Sequence, residues 1–316
     1  MSGSSKCAVV FAYHDVGVRG LSVLLALGVD VRLVVTHVDD PDENIWFSSV
    51  AELAVLNDIP VITPADPNAA DVLEQVRACQ PDVLFSFYYR HMLGAELLAM
   101  PALGAYNLHG SLLPKYRGRV PINWAVLHGE TETGASLHRM EIKPDAGALV
   151  DQQAVAILPN DTAYTVFQKV ACATEQLLLR CVPLLLNGRA QETALDLSAG
   201  SYFSGRCPED GRIDWHKTAG EIHNLIRAVA PPYPGAFFDT QGIRLQVLGS
   251  YYRNRPATGQ AARIFWQDGR CRADCSDGRQ LELTDLAVNG EPLDEPGFRA
   301  RFGTTELLLT QYSTRP

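Results

Sequence analysis

Cysteine in metal-binding spacing is absent from this sequence. Seven cysteines are scattered along the 316 residues, and no two of them form a Cys-x-x-Cys pair. The closest two, Cys271 and Cys275, have no histidine or further cysteine beside them that would complete a zinc site. We therefore expect free thiols, as in a reducing cytoplasm, and no bound metal ion.

Long apolar runs are also missing. No stretch approaches the roughly 18 to 20 apolar residues that a membrane-spanning helix needs. The first six residues, MSGSSK, lack the apolar core of a signal peptide. We expect a cytoplasmic protein that does not insert into a membrane.

Positive charge is in the minority. The chain has 27 lysines and arginines against 36 aspartates and glutamates, a net charge of −9. Such a field repels phosphodiester backbones, so we expect a small-molecule substrate and no nucleic-acid partner. The stretch HDVGVRG (14–20) completes neither the GxGxxG nor the P-loop pattern, and we interpret it as a strand-to-helix turn.

Strand-like and helix-like segments alternate over the first part of the chain. Short apolar runs predict strands at 7–13, 31–37, 82–88, 104–109, 135–140 and 148–157. Helical spacing predicts helices at 20–28, 47–56, 69–79, 121–129 and 163–186. This alternation predicts an α/β domain with a Rossmann-like, doubly wound, mostly parallel sheet.

The periodicity is lost after this domain, where glycine, serine and charged residues accumulate. We predict a catalytic domain over 1–190, a linker over 191–206, a second domain over 207–305 and a tail over 306–316. One helix and four short strands separated by turn signals make the second domain smaller and mainly β.

One predicted strand ends in polar residues, within the stretch YNLHGSLLPKYRGR (106–119). Because side chains alternate along a strand, Asn107 and His109 point to one face. Ligands of open α/β sheets bind at the carboxyl ends of the strands. An amide that donates to an oxyanion and an imidazole that exchanges protons together suit acyl transfer through a tetrahedral intermediate. The alternative is that both residues make ordinary structural hydrogen bonds.

One carboxylate and three cationic side chains are further candidates for this site. Asp145 follows a predicted strand in a turn flanked by proline and glycine, where it is either an ordinary turn residue or presented to the cleft. Near His109, its charge would raise the pKa of the imidazole. Lys115, Arg117 and Arg119 form either a solvated surface or an anion-binding group, and we favour the second.

These motifs together resemble the folate-dependent formyltransferase family. The resemblance is carried by NLHGSLLPKYRGRVPINWA (107–125) and HGETETGASLHRMEIKPDAG (128–147), which contain the family's Asn-x-His, SLLPxxRG and later Asp. It extends to GRIDWHKTAGEIHNLIRAVAPPYPGAFF (211–238), which looks like the start of the family's barrel-like C-terminal domain.

The resemblance implies a reaction and roles. A formyl group would pass from 10-formyltetrahydrofolate, a cosubstrate, to the amine of a UDP-linked aminosugar. His109 would be the proton-transfer residue, Asn107 would stabilise the oxyanion, and Asp145 would tune the histidine. The motifs look most similar to formyltransferase domains of lipid A modification and polymyxin resistance, whose aminosugar is UDP-4-amino-4-deoxy-L-arabinose.

The resemblance also implies folate contacts and leaves alternatives. The folate would contact His91, Met92, Leu93, Arg119, Glu141, Ile142, Lys143, Pro144 and Asp145. Enzymes of lipid A modification continue into a decarboxylase domain, which this sequence does not contain, so we expect a separate or truncated decarboxylase.

Four other functions stay open. They are formylation of another nucleotide-linked aminosugar, formylation of methionyl-tRNA, hydrolysis of the formyl donor, and binding without catalysis. The stretch from Thr36 to Trp46 is acidic and has no lysine or arginine, which argues against tRNA.

Overall fold

The computed structural model describes residues 6–259 and 261–309, and its contacts divide the chain into two units. Unit 1 consists of Met1–Pro121, Thr133–Val155 and Gln168–Ser204. Unit 2 consists of Ile122–Glu132, Ala156–Phe167 and Gly205–Pro316.

Unit 1 is built on a seven-stranded sheet. Its strands are β1 (Cys7–Ala12), β2 (Asp30–Val35), β3 (Val61–Ile62), β4 (Val83–Phe87), β5 (Ala105–His109), β7 (Glu132–Arg139) and β8 (Leu149–Ala156), while β6 (Arg117–Gly118) lies outside it. The order is β3-β2-β1-β4-β5-β7-β8. The first five strands pair in parallel, and β7 runs antiparallel to β5. This is the doubly wound, mostly parallel sheet that the sequence predicts.

The central strands are apolar because both of their faces are covered. All six residues of β1 and all five of β4 are buried, as expected of parallel strands between helices. The helices of unit 1 are α1 (His14–Ala26), α2 (Val50–Val55), α3 (Ala70–Ala78), α4 (Ala95–Ala99) and most of α6 (Ala163–Leu186), whereas all of α5 (Pro121–Leu127) except Pro121 falls in unit 2.

The glycines of HDVGVRG lie inside helix α1, so their interpretation as a strand-to-helix turn is wrong. The helix begins at His14. A Cβ atom on Gly20 would lie 2.5 Å from the Phe87 ring, and one on Gly17 would lie 2.9 Å from Val50. Both glycines therefore let α1 approach β4 and α2 closely.

The predicted linker contains a short strand. Residues Tyr202–Phe203 form β9, which pairs in parallel with β6. Next to it, Ser201 makes backbone hydrogen bonds to the loop that follows His109, whereas Glu192 forms an ion pair with Arg139 and Thr193 pairs with Leu149. The predicted linker shows no apolar periodicity here because a strand of two residues is too short to show alternation.

Unit 2 holds an antiparallel sheet and a helix. Its strands are β10 (Ala236–Thr240), β11 (Ile243–Pro256), β12 (Arg263–Gln267), β13 (Arg270–Asp274), β14 (Arg279–Val288), β15 (Glu291–Pro292) and β16 (Glu306–Leu308). These strands run in the order β10-β11-β14-β13-β12-β16, and β15 pairs with β14. The sheet is curled into a half-barrel. The sheet and helix α7 (Ala219–Val229) share one apolar core.

Sequence signals at the N-terminal end of α7 explain why the helix begins there. Thr218 and Glu221 form a reciprocal capping box, in which the Thr218 hydroxyl accepts from the Glu221 N–H at 3.2 Å and the Glu221 carboxylate accepts from the Thr218 N–H at 3.0 Å. Ile222, Ile226 and Val229 then face the core at helical spacing.

The predicted domain boundaries stay a proposal, and the contact-based units differ from them in detail. Residues 122–132 and 156–167 belong with unit 2. The first residues of the predicted tail form β16, which pairs with β12, and residues 310–316 lie outside the described part of the chain. A final helix, α8 (Glu295–Phe302), precedes that strand. Within the described residues, no helix combines the length and apolar character needed to cross a bilayer.

Candidate active site

Strand β5 presents Asn107 and His109 next to strand β7. In the antiparallel register, Asn107 is opposite His138 and His109 is opposite Ser136. His109 is the last residue of β5 and is buried, with 6% of its surface exposed. The alternation of the strand therefore brings Asn107 and His109 to one face, as predicted.

The imidazole of His109 is held at one of its nitrogens by the following loop. Its Nε2 lies 2.7 Å from the backbone oxygen of Tyr116. Because a carbonyl oxygen only accepts, Nε2 carries a proton and donates it. The other nitrogen, Nδ1, lies 3.5 Å from Oδ1 of Asp145, which is longer than a charge-assisted hydrogen bond of about 2.7 to 2.9 Å. His109 in this arrangement is neutral, with a lone pair at Nδ1.

Asp145 lies within reach of both predicted catalytic residues of β5. Its Oδ2 accepts from the backbone N–H of Gly118 at 2.9 Å. Its Oδ1 lies 3.5 Å from Nδ2 of Asn107 and 3.5 Å from Nε2 of His138. The structure thus brings Asn107, His109 and Asp145 together.

Burial dominates the electrostatics of this group. It lowers the pKa of His109 despite the nearby charge of Asp145, which acts in the opposite direction. Asp145 raises the pKa of His109, as expected, but removal from water disfavours the imidazolium more strongly, so the net change is a lowered pKa. For Asp145, burial favours the neutral acid, but the neighbouring imidazoles of His109 and His138 and the hydrogen bond from the Gly118 N–H outweigh it and lower the pKa. Asp145 is ionised at neutral pH.

His138 is a member of the site that sequence reasoning missed. Its Nδ1 lies 2.8 Å from the backbone oxygen of Arg139 and so carries the proton, which leaves Nε2 as an acceptor. Nδ2 of Asn107 lies 3.2 Å from that Nε2. The histidine is visible in the stretch ASLHRM, but only the pairing of β7 with β5 shows that it faces Asn107.

Strained backbone concentrates around these residues. Tyr116 and Asp145 have φ values of 55° and 50°, and Val120, Tyr88 and His14 also have positive φ. For side chains other than glycine this region costs on the order of 1 to 3 kcal/mol, and it clusters where function fixes the conformation. The strain supports the view that the two loops beside His109 are held in place for chemistry.

The predicted folate-binding residues lie in three places. His91, Met92 and Leu93 follow β4, where the backbone oxygen of Met92 accepts from Asn68 at 3.0 Å and the His91 ring lies 4.8 Å from His37. Within residues 6–259 and 261–309, no hydrogen bond or ring contact joins these three residues to the catalytic three.

The remaining predicted folate contacts surround the catalytic loops. Arg119 is exposed, and its backbone N–H donates to Phe203 at 3.0 Å. Glu141, Ile142 and Lys143 are exposed, whereas Pro144 is partly buried next to Asp145. Of the predicted folate set, Asp145 is the member that touches His109.

The loop between His109 and Arg119 has a structural serine. The Ser111 hydroxyl is buried and donates to the backbone oxygen of Lys115 at 2.6 Å, so it closes a turn. Lys115 is exposed and Arg117 is buried. Among the described residues, no group of three metal-ligating side chains is found.

A doubly wound α/β unit brings the amide and imidazole at the end of strand β5 together with the carboxylate of Asp145 from the loop between β7 and β8, an arrangement that suits acyl transfer. Two family models match the chain: formyl transferase over residues 24–182, and formyl transferase, C-terminal domain, over residues 207–294. The chain belongs to the formyl transferase family. The expected enzyme class, a folate-dependent N-formyltransferase, is thereby confirmed.

Solved structures share this fold at low sequence identity. An N-formyltransferase from Helicobacter canadensis, in complex with folinic acid and dTDP-3-aminofucose, matches with a TM-score of 0.73 and 22% identity over 89% of this chain and 99% of that chain. WlaRD, a sugar 3N-formyl transferase in the presence of dTDP and 5-N-formyl-THF, matches with a TM-score of 0.72 and 20% identity over 92% of this chain and 100% of that chain. HypX from Aquifex aeolicus, in complex with tetrahydrofolic acid, matches with a TM-score of 0.64 and 15% identity over 99% of this chain and 50% of that chain.

Proposed function

We propose that this enzyme transfers the formyl group of 10-formyltetrahydrofolate to the 4-amine of UDP-4-amino-4-deoxy-L-arabinose. The observation that carries the proposal is the group of Asn107, His109 and Asp145, whose side chains approach within 3.5 Å of one another at Asp145. The folate ligands of the similar structures support the donor, and the nucleotide-linked ligands named with them support an aminosugar acceptor.

The proposed mechanism begins with the unprotonated sugar amine. Its nitrogen attacks the formyl carbon, and the new C–N bond places negative charge on the formyl oxygen. An N–H of Asn107 donates to that oxygen, as an oxyanion-hole amide does. His109 accepts the proton that the amine nitrogen releases, at the Nδ1 that the backbone leaves open.

The second half of the mechanism uses the same groups. Ionised Asp145 stabilises the imidazolium of His109. Collapse of the tetrahedral intermediate breaks the bond between the formyl carbon and N10 of the folate, and His109 returns the proton to N10. The products are the N-formyl sugar and tetrahydrofolate, so atoms and charge balance. The site needs no covalent intermediate.

The finer assignment rests on sequence motifs. The stretches VVFAYHDVG (9–17), FSFYYRHML (85–93) and NLHGSLLPKYRGR (107–119) resemble the formyltransferase domain of ArnA. We therefore propose a role in lipid A modification and polymyxin resistance. Another nucleotide-linked aminosugar is the second candidate, because a small difference in the sugar ring can depend on one or two contacts.

The electrostatics of unit 1 argue against methionyl-tRNA as the acceptor. The carboxylate of Glu43 forms a bidentate ion pair with Arg90 at 2.6 and 2.7 Å. Asp39 accepts from the Tyr13 hydroxyl at 2.6 Å. The acidic segment after β2 thus neutralises Arg90, which weakens the attraction of this region for phosphate groups.

A direct acceptor assay tests the proposal. The enzyme is mixed with 10-formyltetrahydrofolate and, separately, UDP-4-amino-4-deoxy-L-arabinose, dTDP-linked 3- and 4-aminosugars, methionyl-tRNA or no acceptor, and products are followed by mass. A gain of one formyl group on the UDP-arabinose compound supports the full proposal. Formylation of another acceptor instead contradicts the assigned sugar, and folate consumption without an acceptor indicates hydrolysis.

A second arm of the assay tests the assigned residues. His109→Ala and Asp145→Ala are expected to lower turnover by orders of magnitude, while the thermal midpoint reports whether they fold. The matched control is His216→Ala, an exposed histidine of unit 2. Turnover close to that of the wild type in both site variants would overturn the mechanism.

A further inference from the structure

The segment Gly200–Phe203, which we call the strap, lies along the loop that follows His109. The Ser201 N–H donates to the backbone oxygen of Pro114 at 3.3 Å, and the Arg117 N–H donates to the backbone oxygen of Ser201 at 3.0 Å. The β6–β9 pairing continues this ladder to Phe203. The strap is therefore bound to the loop by several backbone hydrogen bonds, although it lies 85 residues later in the chain, within unit 1.

Glycine at position 200 permits this close approach. A Cβ atom there would lie 2.1 Å from the backbone oxygen of Pro114 and 2.8 Å from its Cβ. No side chain fits that space without moving the loop or the strap. The strap thus follows the loop at a distance that a larger residue would not allow.

One residue of the loop, Tyr116, is held through its backbone N–H by the strap and through its backbone oxygen by His109. The Ser201 hydroxyl accepts from the backbone N–H of Tyr116 at 2.9 Å. The Tyr116 ring stacks on Phe203 with ring centres 5.4 Å apart and an interplanar angle of 17°. Tyr116 has a φ of 55°, a strained value that these two contacts help to maintain.

The same tyrosine holds the catalytic imidazole. The carbonyl oxygen of Tyr116 accepts from Nε2 of His109, so its direction fixes both the tautomer and the orientation of the ring. We infer that the strap is a positioning element of the catalytic centre and that Ser201 is its positioning residue. This inference rests on the proposed role of His109, and it assigns a function to a segment whose sequence indicates only a linker.

Three variants test the role of Ser201. Ser201→Ala removes the acceptor of the Tyr116 N–H, and we expect kcat to fall about fivefold with little change in KM, the effect of losing one hydrogen bond of about 1 kcal/mol in the transition state. Ser201→Thr keeps a hydroxyl and should restore most of the activity. Ser198→Ala is the matched control, because the Ser198 hydroxyl bonds Asp196 instead of the loop, and it should behave as the wild type.

A second measurement separates a loss of His109 positioning from a general loss of structure. Nitrogen-15 NMR of labelled histidine reports the hydrogen-bonded Nε2–H of His109, which we expect to shift in Ser201→Ala and to be unchanged in Ser198→Ala. Unchanged kcat and an unchanged His109 resonance in Ser201→Ala would overturn the inference. If the wild type transfers no formyl group, the proposed function fails, and the His109 resonance still decides whether the strap positions the ring.

Discussion

At the scale of single residues, the arrangement of Asn107 depends on His138. An asparagine amide can turn either its oxygen or its nitrogen toward a neighbour, and only the nitrogen can donate to an oxyanion. The Nε2 lone pair of His138, 3.2 Å from Nδ2 of Asn107, selects one direction. His138 thus holds one N–H of Asn107 and fixes the orientation of the amide, and in the proposed mechanism the second N–H donates to the formyl oxygen.

This dependence predicts a result for a double-mutant cycle. His138→Leu should lower kcat about fivefold and leave KM nearly unchanged, because a lost hydrogen bond is worth about 1 kcal/mol. In an Asn107→Ala background the same change should have no further effect. His138→Gln, which keeps an acceptor, is the control. Steady-state kinetics of the four combinations give the coupling, and additive losses would show that His138 acts independently of Asn107.

At the scale of secondary-structure elements, the glycines of two helices predict opposite effects on stability. Gly20→Ala places a Cβ atom against Phe87, and overpacking of this kind typically destabilises by about 1 to 3 kcal/mol. Gly220→Ala, in helix α7, meets no atom within 4 Å, and should stabilise by about 0.5 to 1 kcal/mol. Denaturant unfolding of both variants measures the difference. Equal effects would mean that α1 does not need the close approach.

The sequence predicts long periodic elements and misses short ones at this scale. The bounds 163–186 of helix α6 agree with the structure because its apolar spacing continues over many turns. The sequence patterns do not predict strands β3, β6, β9, β13, β15 and β16 or helices α4 and α8. The pairing of β6 with β9 depends on residues far apart in the chain, and two residues carry no period.

The site follows the same rule. Asn107, His109 and Asp145 stand out as residue types in distinctive motifs, so the sequence alone predicts them as a group. The part that His138 and Ser201 play depends on strand register and on a contact across the sequence. The lowered pKa of His109 likewise depends on how deeply the ring is buried, which is a property of the folded structure and not of the local sequence.

At the scale of the whole molecule, buried histidines make stability depend on pH. Burial lowers the pKa values of His14 and His37 in unit 1, and of His223 in unit 2, to about 4. His223 donates from Nε2 to the backbone oxygen of Pro159 at 3.0 Å, and its Nδ1 lies 2.8 Å from the Ser250 hydroxyl. These histidines are neutral in the folded protein at pH values where they are protonated in the unfolded chain.

The sign of the pH effect follows from this difference. Above the unfolded value of about 6.5 neither state binds the proton, and the stability is fully present. As the pH falls below about 6.5, the unfolded chain takes up protons first, so the free energy of unfolding decreases until the folded histidines titrate near 4. For His223 alone the loss between pH 7 and pH 5 should be about 2 kcal/mol.

Replacement of His223 tests this account. His223→Gln should lower stability at pH 7, because its buried hydrogen bonds are altered, but its stability should fall less than that of the wild type between pH 7 and pH 5. His216→Gln, at an exposed position of the same unit, should retain the wild-type pH dependence. Denaturant unfolding at the two pH values gives the four free energies. The same pH dependence in wild type and His223→Gln would show that this buried imidazole does not set the acid sensitivity of unit 2.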